Sequence, residues 1–348
     1  MKTIAAIKIG SLQGENDEKS GQVGVIDLPE QEVGDEDIKI KVAYCSICGS
    51  DPHLVEGIFG WDPPFGLGHE VSGTVVEVGP KATKKGLKIG DRVAGNFLKF
   101  CGTCYYCLNG QEQFCEHLHD YNRPGMSEYI VWHESQVWEV PDNVPLEEAC
   151  LLEPVSIAVR AVDKSNMKVG QRVAVSGGGP IGLLTLQMLK KFGATSLTLI
   201  EPIEDRRKLG LEFGADNVID PSREDINAKI EQITDNRGFD VVIEASGSTR
   251  AANTAADIAA KGGTVLYIAM FPQSYEMPLN LYEKCYLQEL TITGIFVAPY
   301  SFPRALQMLS ELNLKPFIQK VFPLNQAEEA FDAHVSGKYP KVLIQCNE

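Results

Sequence analysis

The chain has 348 residues, more than one ordinary hydrophobic core accommodates, so two domains are expected. Its composition, 44% hydrophobic and 23% charged with no low-complexity stretch and no obvious repeat, is that of a folded globular protein. With 47 acidic against 32 basic residues the formal charge is −15, which disfavours nucleic-acid backbones and anionic membranes as partners. The opening Met1-Lys-Thr-Ile-Ala-Ala-Ile-Lys8 holds no apolar stretch of signal-peptide length, and no segment reaches membrane-spanning length, so a cytoplasmic protein is expected.

In chain order, the first 150 residues carry short strand-like runs at 38–44, 71–78 and 128–132, divided by Gly and Pro. Pro141-Asp-Asn-Val-Pro145 punctuates the end of this half. From about residue 170 the texture changes to strand–helix alternation. Strands are predicted over 172–176, 196–201, 217–220, 239–245, 264–270 and 290–296, and helices over 180–192, 204–213, 224–235 and 249–261. Gly193 and Gly214 sit where helix C-terminal glycines belong. Such alternation predicts a parallel, doubly wound sheet. After residue 298 the rhythm breaks, and a last strand at 341–345 is placed to return to the first domain.

Four cysteines stand at the spacing Cys101-x2-Cys104-x2-Cys107-x7-Cys115. Four thiolates within fifteen residues can close around one tetrahedral Zn²⁺, and Gly102 and Gly110 allow the tight turns of such a lobe. Iron–sulfur runs of this kind usually end in C-x3-C-P, whereas here the fourth cysteine lies seven residues on and Glu116 follows it. Disulfides fit poorly as well, because nine cysteines is an odd number and nothing else points to an oxidising compartment. The lobe reads as a structural zinc site.

Gly177-Gly-Gly179-Pro180-Ile181-Gly182 fits G-x-G-x-x-G. It follows the apolar run Val173-Ala-Val175 and opens a helix with Pro180 near its start, while Glu201 ends the next strand nineteen positions after Gly182. In that context Gly177 permits the turn, Gly179 lets backbone approach a pyrophosphate, and Gly182 packs helix on strand. The helix N-terminus turns its free N–H groups to the phosphates. A carboxylate at Glu201 accepts from the adenosine ribose hydroxyls and repels a 2′-phosphate, which favours NAD over NADP; Arg206 and Arg207 are the counter-evidence.

Cys48-Gly-Ser50-Asp51-Pro-His53, Gly68-His69-Glu70 and Leu152-Glu153-Pro154 offer a thiolate, an imidazole and carboxylates, a set suited to Zn²⁺ with an open position. Each has a plainer alternative: a buried Cys as a small hydrophobe, a hydrogen-bonded core His, a surface Glu. The apolar neighbours of Glu153, Cys150-Leu-Leu152 and Val155, speak for its burial. Spacing alone does not join the three segments.

Cys-Gly-Ser-Asp, Gly-His-Glu, the four-cysteine lobe, Glu-Pro-Val-Ser and Gly-Gly-Gly-Pro-Ile-Gly together resemble the zinc-dependent medium-chain alcohol dehydrogenases, in that family's order and spacing from about residue 35 onward. Within the family the chain is similar to the polyol branch, the sorbitol and butanediol dehydrogenases. Ile200-Glu-Pro202 with Arg206-Arg207, and Ser301-Phe-Pro-Arg304-Ala-Leu, also resemble the butanediol enzymes. The resemblance implies an α/β protein with a β-rich GroES-like catalytic domain of residues 1–154 and 298–348 around a Rossmann domain of residues 155–297. It implies a catalytic zinc on Cys48, His69 and Glu70, with Glu153 a ligand directly or through water, and hence two zinc ions per chain. Asp51 would orient His69, and Ser50 and His53 would relay the proton with the cofactor's ribose hydroxyls. It implies NAD on Gly177, Gly179, Pro180, Ile181, Gly182, Glu201 and Arg206, reversible hydride transfer from a secondary alcohol of a polyol, diol or sugar, and a homotetramer or dimer. Arg160 departs from the pattern, standing where sorbitol dehydrogenases commonly carry His.

Two other functions compete. Threonine and sugar-acid dehydrogenases share this fold, but the threonine enzymes usually show Asp-Pro followed by Gly-Asn where this chain has Glu153-Pro-Val-Ser. A nucleotide or redox sensor without catalysis would have little reason to keep Cys48, His69, Glu70, Glu153, Ser50 and His53 together.

Overall fold

Ile38, Ile40 and Val42 alternate with Lys39 and Lys41 along the strand Asp37–Ser46, so one face of it is apolar and lies in the core. This strand anchors a seven-stranded sheet. It pairs antiparallel with Glu70–Val78, with Tyr129–His133 and with Lys341–Gln345, which itself runs parallel to Ile318–Pro323. The tail thus joins the N-terminal sheet. The computed structural model describes residues 1–13, 20–120 and 123–347, which divide into two units: Met1–Glu153 with Phe302–Glu348, and Pro154–Ser301. Among the described residues, no helix is long and apolar enough to cross a membrane.

The second unit is one six-stranded sheet with every pair parallel. Across it the strands run Asn217–Ile219, Ser196–Ile200, Arg172–Ser176, Phe239–Glu244, Ala259–Tyr267 and Thr291–Gly294. In order of appearance that is third, second, first, fourth, fifth, sixth, the doubly wound Rossmann order, which reverses beside Arg172–Ser176. Val173, Ala174 and Val175 are fully buried without alternation, because helices must cover both faces of a parallel sheet. The helix Pro180–Phe192 packs residues 182–189 inward and stops at Gly193, whose φ of 106° is left-handed.

Two helices differ from expectation. The one predicted from residue 224 begins at Ile226, because the Asp225 side chain accepts from the Ala228 amide and caps it. The one predicted over 249–261 ends at Ala255, and the next strand already runs from Ala259. Ala259 pairs with Phe239 across the sheet, and Gly262 has a φ of 72°, which a helix does not accept.

Ile40 is central to the first unit's core, so Ile40→Ala should destabilise that unit by about 2–5 kcal/mol. A urea midpoint for this unit within experimental error of the wild type would contradict the packing described.

Candidate active site and cofactor cradle

Residues 101–115 wind through the helix Tyr105–Leu108 and the 3₁₀ turn Glu112–Phe114. The four cysteine sulfurs all lie within 4.8 Å of one another, with Cys101 Sγ 3.9 Å from Cys107 Sγ. Four sulfurs at about 2.3 Å from one tetrahedral ion stand about 3.8 Å apart, so the set fits zinc and is far wider than a disulfide. All nine cysteines are free thiols. The Thr103 and Cys104 amides donate to Cys101 Sγ at 3.5 and 3.3 Å, and the Cys101 and His117 amides donate to Cys115 Sγ at 3.4 Å. The Thr103 amide leads in bringing the Cys101 thiol down to about 6. With four sulfurs in place the set is closed.

The second cluster is assembled from distant segments. Cys48 lies between the strand Asp37–Ser46 and the helix Ser50–Val55, and His69 directly precedes the strand Glu70–Val78. Gly68 makes the approach possible: its φ is 89°, and a Cβ there would stand 2.4 Å from Met126 Cγ and 2.8 Å from Cys45 Sγ. Ligand atoms of Cys48, His69 and Glu70 all fall within 4.8 Å of one another. Fully buried Asp51 accepts from the amides of Cys48 at 2.8 Å and Gly68 at 3.1 Å, and its Oδ1 lies 3.6 Å from His69 Nδ1. Burial opposes charge on both partners. It is overcome, for Asp51 by His69 and for His69 by Asp51 and Cys48, so the carboxyl sits below its ordinary value and the imidazole well above.

Glu153 lies outside the three-donor cluster but beside it, in the first turn of the helix Leu152–Ser165. Burial lifts its carboxyl to about 7, against the pull of His69 and with the help of Glu70. Ser50 opens its helix and His53 follows one turn later, 42% exposed, with Nδ1 2.9 Å from Glu56 Oε2. Arg160 is buried in the second unit with its Nε lacking a hydrogen-bond partner; burial lowers its pKa, while Tyr300 and Asp163 oppose that.

Three neighbours of the cluster escaped the sequence reading. Lys341 Nζ donates to Glu70 Oε1 at 2.6 Å and to the Ile47 carbonyl at 3.2 Å. The Ser46 hydroxyl donates to Glu70 Oε2. The Phe97 ring lies 4.7 Å from the His69 ring. The available signal was a lysine opening the apolar run Lys341-Val-Leu-Ile344, since a buried charge requires a partner.

In the second unit Gly177 has a φ of 102°, and a Cβ on it would lie 2.7 Å from Ser246 Cα. A Cβ on Gly182 would stand 2.0 Å from the Gly177 carbonyl oxygen, whereas the space beside Gly179 is open. These glycines, with Pro180 and Ile181 starting the helix, leave a bare helix N-terminus at the carboxyl end of Arg172–Ser176, where an open sheet binds phosphates. A cavity of about 420 Å³ beside them is lined by Gly177, Gly179, Glu201, Pro202 and Arg206. Buried Glu201 accepts from the Gly178 amide at 2.6 Å and the Ile203 amide at 2.8 Å, with Arg206 Nη1 4.0 Å from its Oε2. Arg207 instead pairs with Asp220 at 3.0 Å. The cradle fits a dinucleotide.

Known proteins agree with this geometry. The zinc-binding dehydrogenase family matches residues 180–311, and the alcohol dehydrogenase GroES-like domain matches residues 34–142. The D-arabitol-phosphate dehydrogenase of Enterococcus avium is 34% identical over 336 residues, 94% of each chain. The sorbitol dehydrogenase of Halalkalibacterium halodurans is 33% identical over 333 residues, 93% of this chain and 96% of its own. Among solved structures, a Clostridium scindens protein described as a zinc-binding dehydrogenase superposes with a TM-score of 0.91 at 30% identity, covering 100% of both chains. The chain belongs to the zinc-dependent medium-chain alcohol dehydrogenases, in their polyol branch.

Because the lobe is closed and local, Cys104→Ser should cost one zinc per chain and lower the thermal midpoint. Metal analysis beside a melting curve checks this, and a variant with unchanged zinc would contradict ligation by the four sulfurs.

Proposed function

We propose that the protein is a cytoplasmic, homo-oligomeric dehydrogenase that transfers a hydride reversibly between a secondary alcohol of a polyol, diol or sugar and NAD. The observation that carries this is the contrast between the two donor sets: a closed four-sulfur lobe, and a three-donor cluster of Cys48, His69 and Glu70 that leaves a position to exchange. The unit Met1–Glu153 with Phe302–Glu348 is the catalytic domain, and Pro154–Ser301 binds the cofactor.

Zinc at the cluster supplies Lewis acidity to an alcohol oxygen. NAD, when bound, supplies the hydride acceptor. The chain's own groups do the rest. Cys48, His69 and Glu70 would hold the metal, with Glu153 beside them as a ligand directly or through water. Asp51 fixes the His69 ring, as carboxylates commonly do for metal-binding imidazoles. Ser50, two residues from Cys48, takes the hydroxyl proton, and half-exposed His53 passes it to solvent. Glu201 is held by two backbone amides with its carboxylate toward the cavity, which supports recognition of ribose hydroxyls and exclusion of a 2′-phosphate.

Assembly has support in the second unit. The strand Thr291–Gly294 is an edge of its sheet, and the nearby Leu281, Tyr282, Tyr286 and Leu287 are all exposed, the two tyrosine rings stacked on each other. An apolar patch of this kind beside a sheet edge is suited to burial against a second copy.

The decisive experiment is NAD⁺ reduction over a panel of diols, sugar alcohols, sugar acids and threonine; turnover confined to threonine would overturn the substrate class. Ser50→Ala should lose about 10²–10⁴ in kcat with two zincs retained, and loss of zinc instead would refute its role as proton carrier. The unmutated enzyme should prefer NAD⁺ over NADP⁺ in kcat/KM by about a hundredfold or more, since like charges at Glu201 cost a few kcal/mol. Glu201→Ser should narrow that ratio, and equal use of both cofactors by the unmutated enzyme would remove Glu201 from the discrimination.

A further inference from the structure

Glu70 serves two masters. Its side chain is 1% exposed, and so is nearly that of Lys341 at 3%, so the ion pair between them is sealed from water. Lys341 Nζ donates to Oε1 at 2.6 Å and also to Oε2, and the Ser46 hydroxyl donates to Oε2 as well. Yet the same carboxylate has an oxygen within 4.8 Å of the ligand atoms of Cys48 and His69. A carboxylate has lone pairs enough for several partners, but an ammonium and a divalent cation compete for the same negative charge.

Lys341 is not free to leave. It opens the strand Lys341–Gln345, its Nζ also donates to the Ile47 carbonyl, and that strand is pinned by Ile318–Pro323 on one side and Asp37–Ser46 on the other. Besides Glu70, the charged or titratable groups that interact with it include Cys48, Cys150, Glu153 and His334. Glu70 pairs with it directly, by both carboxylate oxygens. The cation is therefore a fixed part of the donor set's surroundings, built in by the C-terminal strand.

We infer that Lys341 is a positioning residue that withholds Glu70 from full ligation and so keeps a coordination position of the catalytic zinc exchangeable. This rests on the assignment of Cys48, His69 and Glu70 as the catalytic metal site. Without the ammonium, the buried carboxylate has one remaining cation to turn to, the metal. Ligation by Glu70 then tightens and the exchangeable position closes.

The test compares Lys341→Met, Lys341→Arg, Glu70→Gln and the double variant Lys341→Met with Glu70→Gln, all zinc-loaded. Release of the catalytic zinc to pyridine-2,6-dicarboxylate and the visible bands of the cobalt(II)-substituted protein are the readouts. Lys341→Met should release zinc at least about tenfold more slowly, the low end of what partners of metal ligands contribute, with altered cobalt bands and reduced kcat. Lys341→Arg, which keeps the charge, should restore release and bands to the wild-type pattern. Unchanged or faster release in Lys341→Met overturns the inference. Should that variant fail to fold, the double variant remains informative, since it removes both buried charges together. It must release zinc at the rate of Glu70→Gln alone, because Lys341 acts only through the carboxylate, and a rate more than about threefold different overturns the inference. The underlying site assignment fails separately: a wild-type chain with one zinc, or a Cys48→Ser chain that keeps two, would remove the catalytic site itself.

Discussion

Charge withdrawn from water is the constraint around which the first unit is organised. Asp51, Glu70, Glu153 and Lys341 are all buried there, and an ion taken out of water costs several kcal/mol unless it is paired. The four come from two helices and two strands, so each pairing also fixes how those elements sit against one another. Asp51 is answered by His69 and by two backbone amides, and Glu70 by Lys341 and Ser46. Glu153 lies within reach of His69 and Lys341, yet burial, with Glu70 adding to it, outweighs their pull and lifts its carboxyl to about 7. A divalent cation is the natural complement of this arrangement, for it meets a thiolate and two carboxyl groups that one lysine cannot satisfy alone. Structure and chemistry share the same residues.

What could be read in advance follows from how far apart the cooperating residues lie. The cysteine lobe spans residues 101–115 and the glycine loop 177–182, so their chemistry is written in local spacing. Glu201 was also within reach, one strand beyond the loop. The catalytic cluster gathers residues 48, 69 and 70 with Glu153 nearby, and no periodicity connects them; only resemblance to a family with the same motifs in the same order did so. Lys341 lies 271 residues from Glu70, and the apolar run it opens signals burial without naming the partner. The Ala251-Ala-Asn-Thr-Ala-Ala256 run shows the opposite failure, where strong helix formers promised a longer helix and strand pairing took the residues from Ala259 onward.

The two units also differ in how they use the chain. Pro154–Ser301 is continuous, and its sheet is built from neighbours in sequence around the first strand. The other unit is split, and its central strand Asp37–Ser46 pairs with Lys341–Gln345. During synthesis at about 5–20 residues per second, the 271 residues between Glu70 and Lys341 correspond to roughly 15–50 seconds. For that interval residues 44–46 have an unpaired backbone edge and Glu70 has no lysine, while the nucleotide-binding segment is complete and free to fold. The half-built sheet is thus a timed vulnerability of the nascent chain, closed only when the last strand leaves the ribosome.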